Sequence, residues 1–313
     1  MKAIRYHEFG EPDVLQFEDA PIPSLASDEV LIKVAATTFN PADAYIRMGY
    51  FKNLLPVEFP FIPGMDVSGV IEKKGDLVKG LKVGDEVFSL LEMNRNGGAA
   101  EYVAAKAVNV VIAPQSICLP DAASIPSGGL TAWQGLFEHG DLQQGQRVLI
   151  TAAAGGVGSI ATQLAKWKGA YVIGTSSERS FSKLKELGAD QIINYKSEKI
   201  PYKLDEKVDL IFNLSPLSSD DVTSLLGLLK EGGTLVSALN PADENKAKEM
   251  GVNAIRMGVK RNAGQLSQIA ELVNNYDIKP YITERVTLNQ LASVHKKAGQ
   301  THGKVLILVN DKI

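Results

Sequence analysis

A run of small residues from position 152 to 158, Ala-Ala-Ala-Gly-Gly-Val-Gly, is the part of this sequence best suited to bind a phosphate group. It follows the apolar segment Val148-Leu149-Ile150, which has the composition of a buried parallel strand, and it precedes apolar residues at helical spacing. A strand, a glycine turn and a helix in this order let the backbone approach an anion, with free N–H groups facing it. The turn residues predicted to hold a pyrophosphate are Ala154, Gly155, Gly156, Val157 and Gly158.

The glycine pattern on its own is incomplete. The fingerprint G-x-G-x-x-G would require glycine at position 153, where this chain has alanine, so a plain strand-to-helix turn is an alternative. A second apolar segment, Tyr171–Gly174, ends roughly 20 residues beyond the glycines, where the residue that binds the ribose belongs. This spacing completes a βαβ unit and favours dinucleotide binding.

The elements around this turn predict two domains. Residues 1 to about 120 contain many short β-rich segments between glycine and proline turns, which predicts a small barrel or sandwich. From there to about residue 258, strands and helices alternate, as in a doubly wound parallel sheet, and the predicted helices include 130–138 and 218–230. The remaining tail is too short for a core of its own. We therefore assign residues 1–122 and 259–313 to one domain and 123–258 to a nucleotide-binding domain inserted into it.

Composition excludes several classes of protein. The 313 residues are 45% hydrophobic and 22% charged, as in ordinary globular proteins, and the net charge of −3 gives no reason to expect a nucleic-acid partner. No apolar segment reaches the roughly 18 residues of a membrane-spanning helix, and the start lacks the apolar run of a signal peptide. The single cysteine, Cys118, excludes an internal disulfide. We expect a cytoplasmic protein without a membrane partner.

Several segments together resemble the medium-chain dehydrogenase/reductase superfamily, and within it the zinc-free quinone oxidoreductase group. The resemblance implies an α/β fold in which a GroES-like β-barrel catalytic domain contains an inserted Rossmann domain. The segments are FNPADAYIRMG at 39–49, PGMDVSGVIEKKG at 63–75, GGAAEYV at 97–103, ASIPSGGLTAWQGL at 123–136, AAAGGVGSIATQLAKWKGA at 152–170, ELGADQIINY at 186–195 and HGKVLIL at 302–308.

The resemblance also bears on metal binding. Zinc-using relatives have their ligands at the positions of Asn40, Met65 and Ser127, and none of these three residues is a good zinc ligand. We predict that no metal takes part.

The predicted cofactor is NADPH. The end of the second nucleotide-binding strand carries Ser176 and Ser177 where an NAD-specific protein has a carboxylate, and Arg179 or Lys183 can supply a cation for a 2′-phosphate. Glu178 is an argument against this preference. Further contacts are predicted from the resemblance and from the ends of the later strands, at Thr131, Tyr195, Leu214, Ser215, Ser237, Ala238, Leu239 and Lys304.

The substrate side is predicted near residue 45. In relatives the residues matching Asn40 and Tyr45 approach the nicotinamide and the substrate, so these two are the candidate catalytic residues, with Asn40 also touching the cofactor. Alternatively, Asn40 caps a turn and Tyr45 is an aromatic residue at the edge of the barrel. Tyr50 and Phe51 are candidates for a flat substrate pocket, and an ion pair of Asp43 with Arg47 would fix this loop.

The resemblance implies an NADPH-dependent, zinc-independent reductase of quinones or α,β-unsaturated carbonyls. Two alternatives stay open, namely an enoyl-thioester reductase on the same scaffold and a non-catalytic NADPH-binding sensor or structural protein. We also expect a homodimer or a tetramer that forms through the exposed edge strand at 253–257.

Overall fold

The computed structural model describes residues 1–198, 204–276 and 278–310. The chain divides into two compact units, a split unit of Met1–Ser127 and Arg261–Ile313 and an inserted unit of Gly128–Lys260. The domain boundaries predicted at 122/123 and 258/259 lie near these divisions. Among the described residues, no helix is long and apolar enough to cross a membrane.

The strands and helices follow in chain order. The strands are β1 (Lys2–Arg5), β2 (Gln16–Asp19), β3 (Glu29–Phe39), β4 (Asp66–Lys74), β5 (Glu86–Leu90), β6 (Tyr102–Lys106), β7 (Val110–Ile112), β8 (Arg147–Ile150), β9 (Tyr171–Ser176), β10 (Gln191–Asn194), β11 (Val208–Asn213), β12 (Leu229–Ser237), β13 (Asn253–Arg256), β14 (Ile282–Thr287) and β15 (Lys304–Leu308). The helices are α1 (Pro41–Arg47), α2 (Leu119–Ala122), α3 (Pro126–Trp133), α4 (Gly158–Trp167), α5 (Phe181–Glu186), α6 (Ser219–Ser224), α7 (Glu244–Glu249), α8 (Ala263–Tyr276) and α9 (Leu291–Lys296).

The split unit is built around the long strand β3. A seven-stranded sheet has the order β14-β15-β3-β4-β5-β7, and β6 pairs with β3 as well. The tail returns to this unit as predicted, because β15 pairs with β3 in antiparallel register, with Leu306 opposite Thr38. Every residue of β3 except Lys33 is buried, so this strand forms the centre of the unit.

The inserted unit is a six-stranded parallel sheet in the order β10-β9-β8-β11-β12-β13. The chain builds outwards from β8 to β10 and then, on the other side of β8, from β11 to β13. This order confirms the predicted doubly wound Rossmann arrangement and places the reversal of strand order between β8 and β11. Val148, Leu149 and Ile150 have no exposed surface, as expected for a parallel strand covered on both faces.

Two predicted helices end differently from the sequence pattern. The helix predicted over 218–230 is α6 followed by a 3₁₀ turn at Leu225–Leu228, because Leu229 already pairs with Val208 in the sheet. The helix predicted over 130–138 is the end of α3 continued by a π-helical segment, Gln134–His139. In that segment a Cβ at Gly135 would lie 2.3 Å from the Phe212 ring of β11, so glycine is required for the close approach.

Candidate active site

A buried ion pair lies at the centre of the polar residues of the split unit. Lys304 Nζ is 3.0 Å from Asp66 Oδ2, and the two side chains are 4% and 0% exposed. Asp66 begins β4 and Lys304 begins β15, the two strands on either side of β3. Burial alone would raise the pKa of Asp66, but the Lys304 charge and hydrogen bonds from Thr38 and Ser127 outweigh it, so this pKa lies below its usual value.

Five side chains form this group, which we call the Asp66 cluster: Thr38, Asn40, Asp66, Ser127 and Lys304. Lys304 Nζ also donates to Asn40 Oδ1 at 2.8 Å and to Ser127 Oγ at 3.0 Å. The Asn40 amide donates to Asp66 Oδ2 at 2.9 Å and to Thr38 Oγ1 at 3.2 Å. The Lys304 protons and the Asn40 amide protons therefore all have acceptors inside the cluster.

The cluster brings together two of the three positions at which zinc-using relatives have their ligands, Asn40 and Ser127. The third, Met65, is a buried apolar side chain. Over residues 1–198, 204–276 and 278–310, no group of three or more His, Cys, Asp or Glu side chains could hold a metal ion. The cation of this cluster is an ammonium group that belongs to the chain itself.

Helix α1 links the Asp66 cluster to the predicted substrate residues. Asn40 is its N-cap, and Asp43 Oδ2 accepts the Asn40 N–H at 2.9 Å while Asp43 Oδ1 accepts the Gly64 N–H at 3.2 Å. Burial, together with the nearby Asp66 charge, raises the pKa of Asp43 to about 7.

The predicted ion pair of Asp43 with Arg47 is wrong. The buried guanidinium instead donates through Nη1 to Gly10 O at 2.6 Å and through Nε to His295 Nδ1 at 3.3 Å. Asp43 uses its two oxygens on backbone N–H groups, so the two side chains secure α1 through different partners.

The three predicted aromatic residues lie together. The ring centroid of Tyr45 is 5.7 Å from that of Tyr50 and 6.2 Å from that of Phe51, both in edge-to-face geometry. Tyr45 is 44% exposed and Tyr50 is 71% exposed. An exposed group of rings is a surface on which a flat apolar molecule can stack.

The glycine turn of the inserted unit brings the backbone of the turn very close to the start of α4. Ala152 has a φ of +50°, and its N–H is held by Thr175 Oγ1 at 3.1 Å. A Cβ at Gly158 would lie 2.2 Å from Ala152 O, so α4 can begin this close to the turn only with glycine. A Cβ at Gly155 would lie 3.1 Å from Ala152 O and would meet no other atom within 4 Å in the described part of the chain apart from those of its two sequence neighbours.

The residues predicted at the adenosine end are also brought together. Ser176 ends β9 and pairs in register with Asn194, the residue before Tyr195. Asn194 Nδ2 donates to Glu178 Oε1 at 3.1 Å, which ties this carboxylate to β10. Lys183 forms an ion pair with Glu186 at 2.7 Å, whereas Arg179 is exposed and has no ion-pair partner in the described part of the chain. Of the two predicted cations, Arg179 is the more available.

Two further loops lie at the carboxyl ends of β11 and β12. Leu214 and Ser215 follow β11, while Ser237 ends β12 and is followed by Ala238 and Leu239. The Ser237 hydroxyl is fully buried and bonded to Asn213 and Asn240, and Ser237 O accepts the Met257 N–H at 2.9 Å, so this residue is held inside the protein. Thr131 lies within α3 and is 9% exposed.

Comparison with known proteins gives one consistent result. Residues 26–115 match the model of the alcohol dehydrogenase GroES-like domain, and residues 156–250 match that of the zinc-binding dehydrogenases. The quinone oxidoreductase of Mus musculus is 31% identical over 99% of this chain and 98% of its own length. The chloroplastic NADPH-dependent alkenal/one oxidoreductase of Arabidopsis thaliana is 33% identical over 90% of this chain and 72% of its own.

Comparison of the structure with solved structures also finds a quinone oxidoreductase. The quinone oxidoreductase of Coxiella burnetii superposes with a TM-score of 0.89 at 33% identity, over 99% of both chains. The chain belongs to the medium-chain dehydrogenase/reductase superfamily. It falls in the quinone oxidoreductase-like group of this superfamily and is an oxidoreductase. The predicted family and fold class are confirmed.

Two residues of the Asp66 cluster were not predicted from the sequence. Asp66 and Thr38 are central to the Asp66 cluster, yet neither was predicted. The sequence does contain a signal for the ion pair, because Asp66 begins the apolar first part of β4 and Lys304 begins the apolar strand β15. Charged residues at the starts of two apolar strands can pair with each other. The cofactor contact predicted for Lys304 stays a prediction, although its ammonium is directed to Asn40, Asp66 and Ser127.

Replacing Lys304 by methionine is expected to destabilise this oxidoreductase by about 3–5 kcal/mol, because it leaves the Asp66 carboxylate buried without its countercharge. Urea unfolding of K304M and of the double variant K304M/D66N measures the effect, and the double variant should recover part of the loss. The control is K230M, which breaks the half-exposed ion pair of Lys230 with Asp209 and should cost less than about 1 kcal/mol. Equal losses in K304M and K230M would contradict this account of the cluster.

Proposed function

We propose that this protein is an NADPH-dependent, zinc-independent reductase that transfers hydride to quinones or α,β-unsaturated carbonyls. The observation that carries the proposal is the Asp66 cluster. Two of the positions at which zinc-using relatives have their ligands, Asn40 and Ser127, are here bound to the ammonium group of Lys304. The aromatic group of Tyr45, Tyr50 and Phe51 supports a flat acceptor, and the names of the mouse and Arabidopsis relatives fit both classes of substrate.

The cofactor assignment rests on the inserted unit. The turn at Ala154–Gly158 would hold the pyrophosphate against its backbone and the start of α4. Ser176, Ser177, Arg179 and Tyr195 would hold the adenosine end, where two hydroxyl groups and an exposed guanidinium suit a 2′-phosphate. Glu178, the argument against NADPH, is hydrogen-bonded to Asn194.

The chain's own contribution to the reaction is orientation and the stabilisation of charge. Bound NADPH would supply the hydride. The rings of Tyr45, Tyr50 and Phe51 would hold the acceptor flat, which restricts its approach to one geometry. The Tyr45 hydroxyl would donate a hydrogen bond to the acceptor oxygen as that oxygen gains negative charge. The oxygen of a hydroquinone or an enolate can then take its proton from water.

The proposed function predicts turnover of a simple quinone and of a simple enone with NADPH, followed as loss of absorbance at 340 nm. The Michaelis constant for NADH should be well above that for NADPH, because no carboxylate occupies the position of Ser176. Nearly equal constants would contradict the cofactor preference. Binding of NADPH without turnover of either acceptor would favour the non-catalytic alternative, and turnover of enoyl thioesters alone would favour the thioester reductase.

Replacing Tyr45 by phenylalanine should lower kcat by about tenfold to a hundredfold, because the acceptor oxygen loses a hydrogen-bond donor in the transition state. The dissociation constant for NADPH should stay within about twofold of the wild-type value, since the ring and the inserted unit are unchanged. The control is Y276F, which makes the same change at a tyrosine of α8 that is 61% exposed. A kcat of Y45F equal to that of Y276F would show that the Tyr45 hydroxyl has no role.

We also propose that two copies of the chain associate through β13. This strand is the last of the parallel sheet and pairs only with β12 among the described residues, so its outer edge carries backbone groups open to pairing. Gel filtration coupled to light scattering should give twice or four times the mass of the 33.7 kDa chain. A monomer at micromolar concentration would overturn this expectation.

A further inference from the structure

Three buried polar side chains stand at the carboxyl ends of adjacent strands in the inserted unit. Thr151 follows β8, Asn213 ends β11 and Ser237 ends β12. They are 1%, 0% and 0% exposed, and each of them follows a pair of fully buried apolar residues: Leu149-Ile150, Ile211-Phe212 and Leu235-Val236. Burying three polar side chains is costly unless each of them is fully hydrogen-bonded.

The three side chains bond to one another. Thr151 Oγ1 donates to Asn213 Oδ1 at 2.8 Å, and Asn213 Nδ2 donates to Ser237 Oγ at 3.0 Å. The bridge between Thr151 and Asn213 connects β8 with β11, the pair of strands between which the strand order reverses. In open parallel sheets this reversal is the place where ligands bind.

The same side chains also hold the backbone of two loops. Thr151 Oγ1 accepts the N–H groups of Leu214 and Ser215 at 2.8 and 3.1 Å, and the second proton of Asn213 Nδ2 goes to Ser215 O at 3.2 Å. Ser237 Oγ donates to Asn240 O at 2.7 Å. These bonds use the side-chain protons of Thr151, Asn213 and Ser237, so the hydroxyl and amide groups fix the loops and do not bind a ligand themselves.

The strand order decides which half of a dinucleotide these loops would face. The phosphate turn follows β8, and the residues proposed for the adenosine end follow β9 and β10, on one side of β8. The loops after β11 and β12 lie on the other side. A dinucleotide centred on the turn would therefore extend its nicotinamide half towards 214–215 and 239–240.

We propose that Thr151, Asn213 and Ser237 are positioning residues for the nicotinamide half of the cofactor. By holding the backbone of both loops, they set the affinity for this half and leave that for the adenosine half unchanged. The inference rests on the proposed function, because it takes the ligand of the inserted unit to be NADPH.

The test compares NADPH with 2′,5′-ADP, which carries the adenosine half alone, by isothermal titration calorimetry. T151V keeps the side-chain shape but removes the hydroxyl, so the Leu214 N–H loses its bond to Thr151 and the Ser215 N–H keeps its longer bond, to Asn213 Oδ1 at 3.3 Å. We expect NADPH to bind about tenfold more weakly or worse, while the dissociation constant for 2′,5′-ADP stays within about twofold of wild type. S237A should shift the two ligands in the same way, and T151S, which keeps the hydroxyl, should restore NADPH binding.

The matched control is T234V, which removes a threonine hydroxyl from β12 three positions before Ser237 and should change neither affinity. If T151V and S237A weaken both ligands equally, or neither ligand, the inference is overturned while the proposed function stands. If the wild-type protein binds 2′,5′-ADP but not NADPH, or binds neither, the proposed function itself fails. Should T151V not fold, S237A with T151S carries the same comparison.

Discussion

The buried negative charge of Asp66 is the constraint on which the arrangement of the split unit depends. A carboxylate without exposed surface is tolerated only when an opposite charge and several donors surround it. Here the opposite charge comes from Lys304, which is 238 residues away in the chain. The return of the tail to β3 therefore does more than extend a sheet, since it delivers the one cation that this carboxylate is paired with among the described residues.

In the inserted unit, buried polar groups without a charge also need hydrogen-bond partners inside the protein. Thr151, Asn213 and Ser237 are as deeply buried as Asp66, and each is likewise saturated by partners inside the protein. A side chain whose hydrogen-bonding groups are all paired within the protein fixes the backbone around it. The same side chain is then not available to bind a ligand. Under the proposed function, exposed groups such as Tyr45 and Arg179 would make the direct contacts, and the saturated groups would keep the surrounding backbone in place.

The sequence predicts the fold well because fold signals are local. A buried strand, a glycine turn and a helix are each recognisable within about ten residues, and right-handed crossovers then restrict the strand order. The alternation therefore predicts a doubly wound parallel sheet for the segment that contains β8 to β13, and the structure supplies the strand order. Helix ends are harder to predict. The helical segment that ends at Leu228 is followed directly by Leu229, which pairs with Val208 in the sheet, and neither of these two leucines is a helix-stop residue.

The site was predictable in part, because its composition depends on contacts between distant segments. The resemblance brings Asn40, Tyr45 and Ser127 into consideration, and the aromatic residues Tyr50 and Phe51 that follow suggest a flat pocket. Asp66 and Thr38 were missed because their importance comes from partners 61 and 28 residues away, Ser127 and Asp66 respectively. The Asp43–Arg47 pair was predicted wrongly for a related reason: helical spacing permits the contact, but burial gives each group a better partner elsewhere.

Saturation of Lys304 also limits the chemistry available under the proposed function. A catalytic zinc ion keeps an open position at which a substrate oxygen can bind, whereas this ammonium group has acceptors for all of its protons. It therefore has no proton left to polarise a carbonyl. An acceptor must then be electron-poor in its own right, with a product anion that conjugation already spreads over several atoms. Quinones and enones meet this condition, and simple ketones do not. Under the proposed function, the saturated lysine of the Asp66 cluster would thus restrict the substrate class to such acceptors, and the direct contact with the substrate oxygen would come from Tyr45.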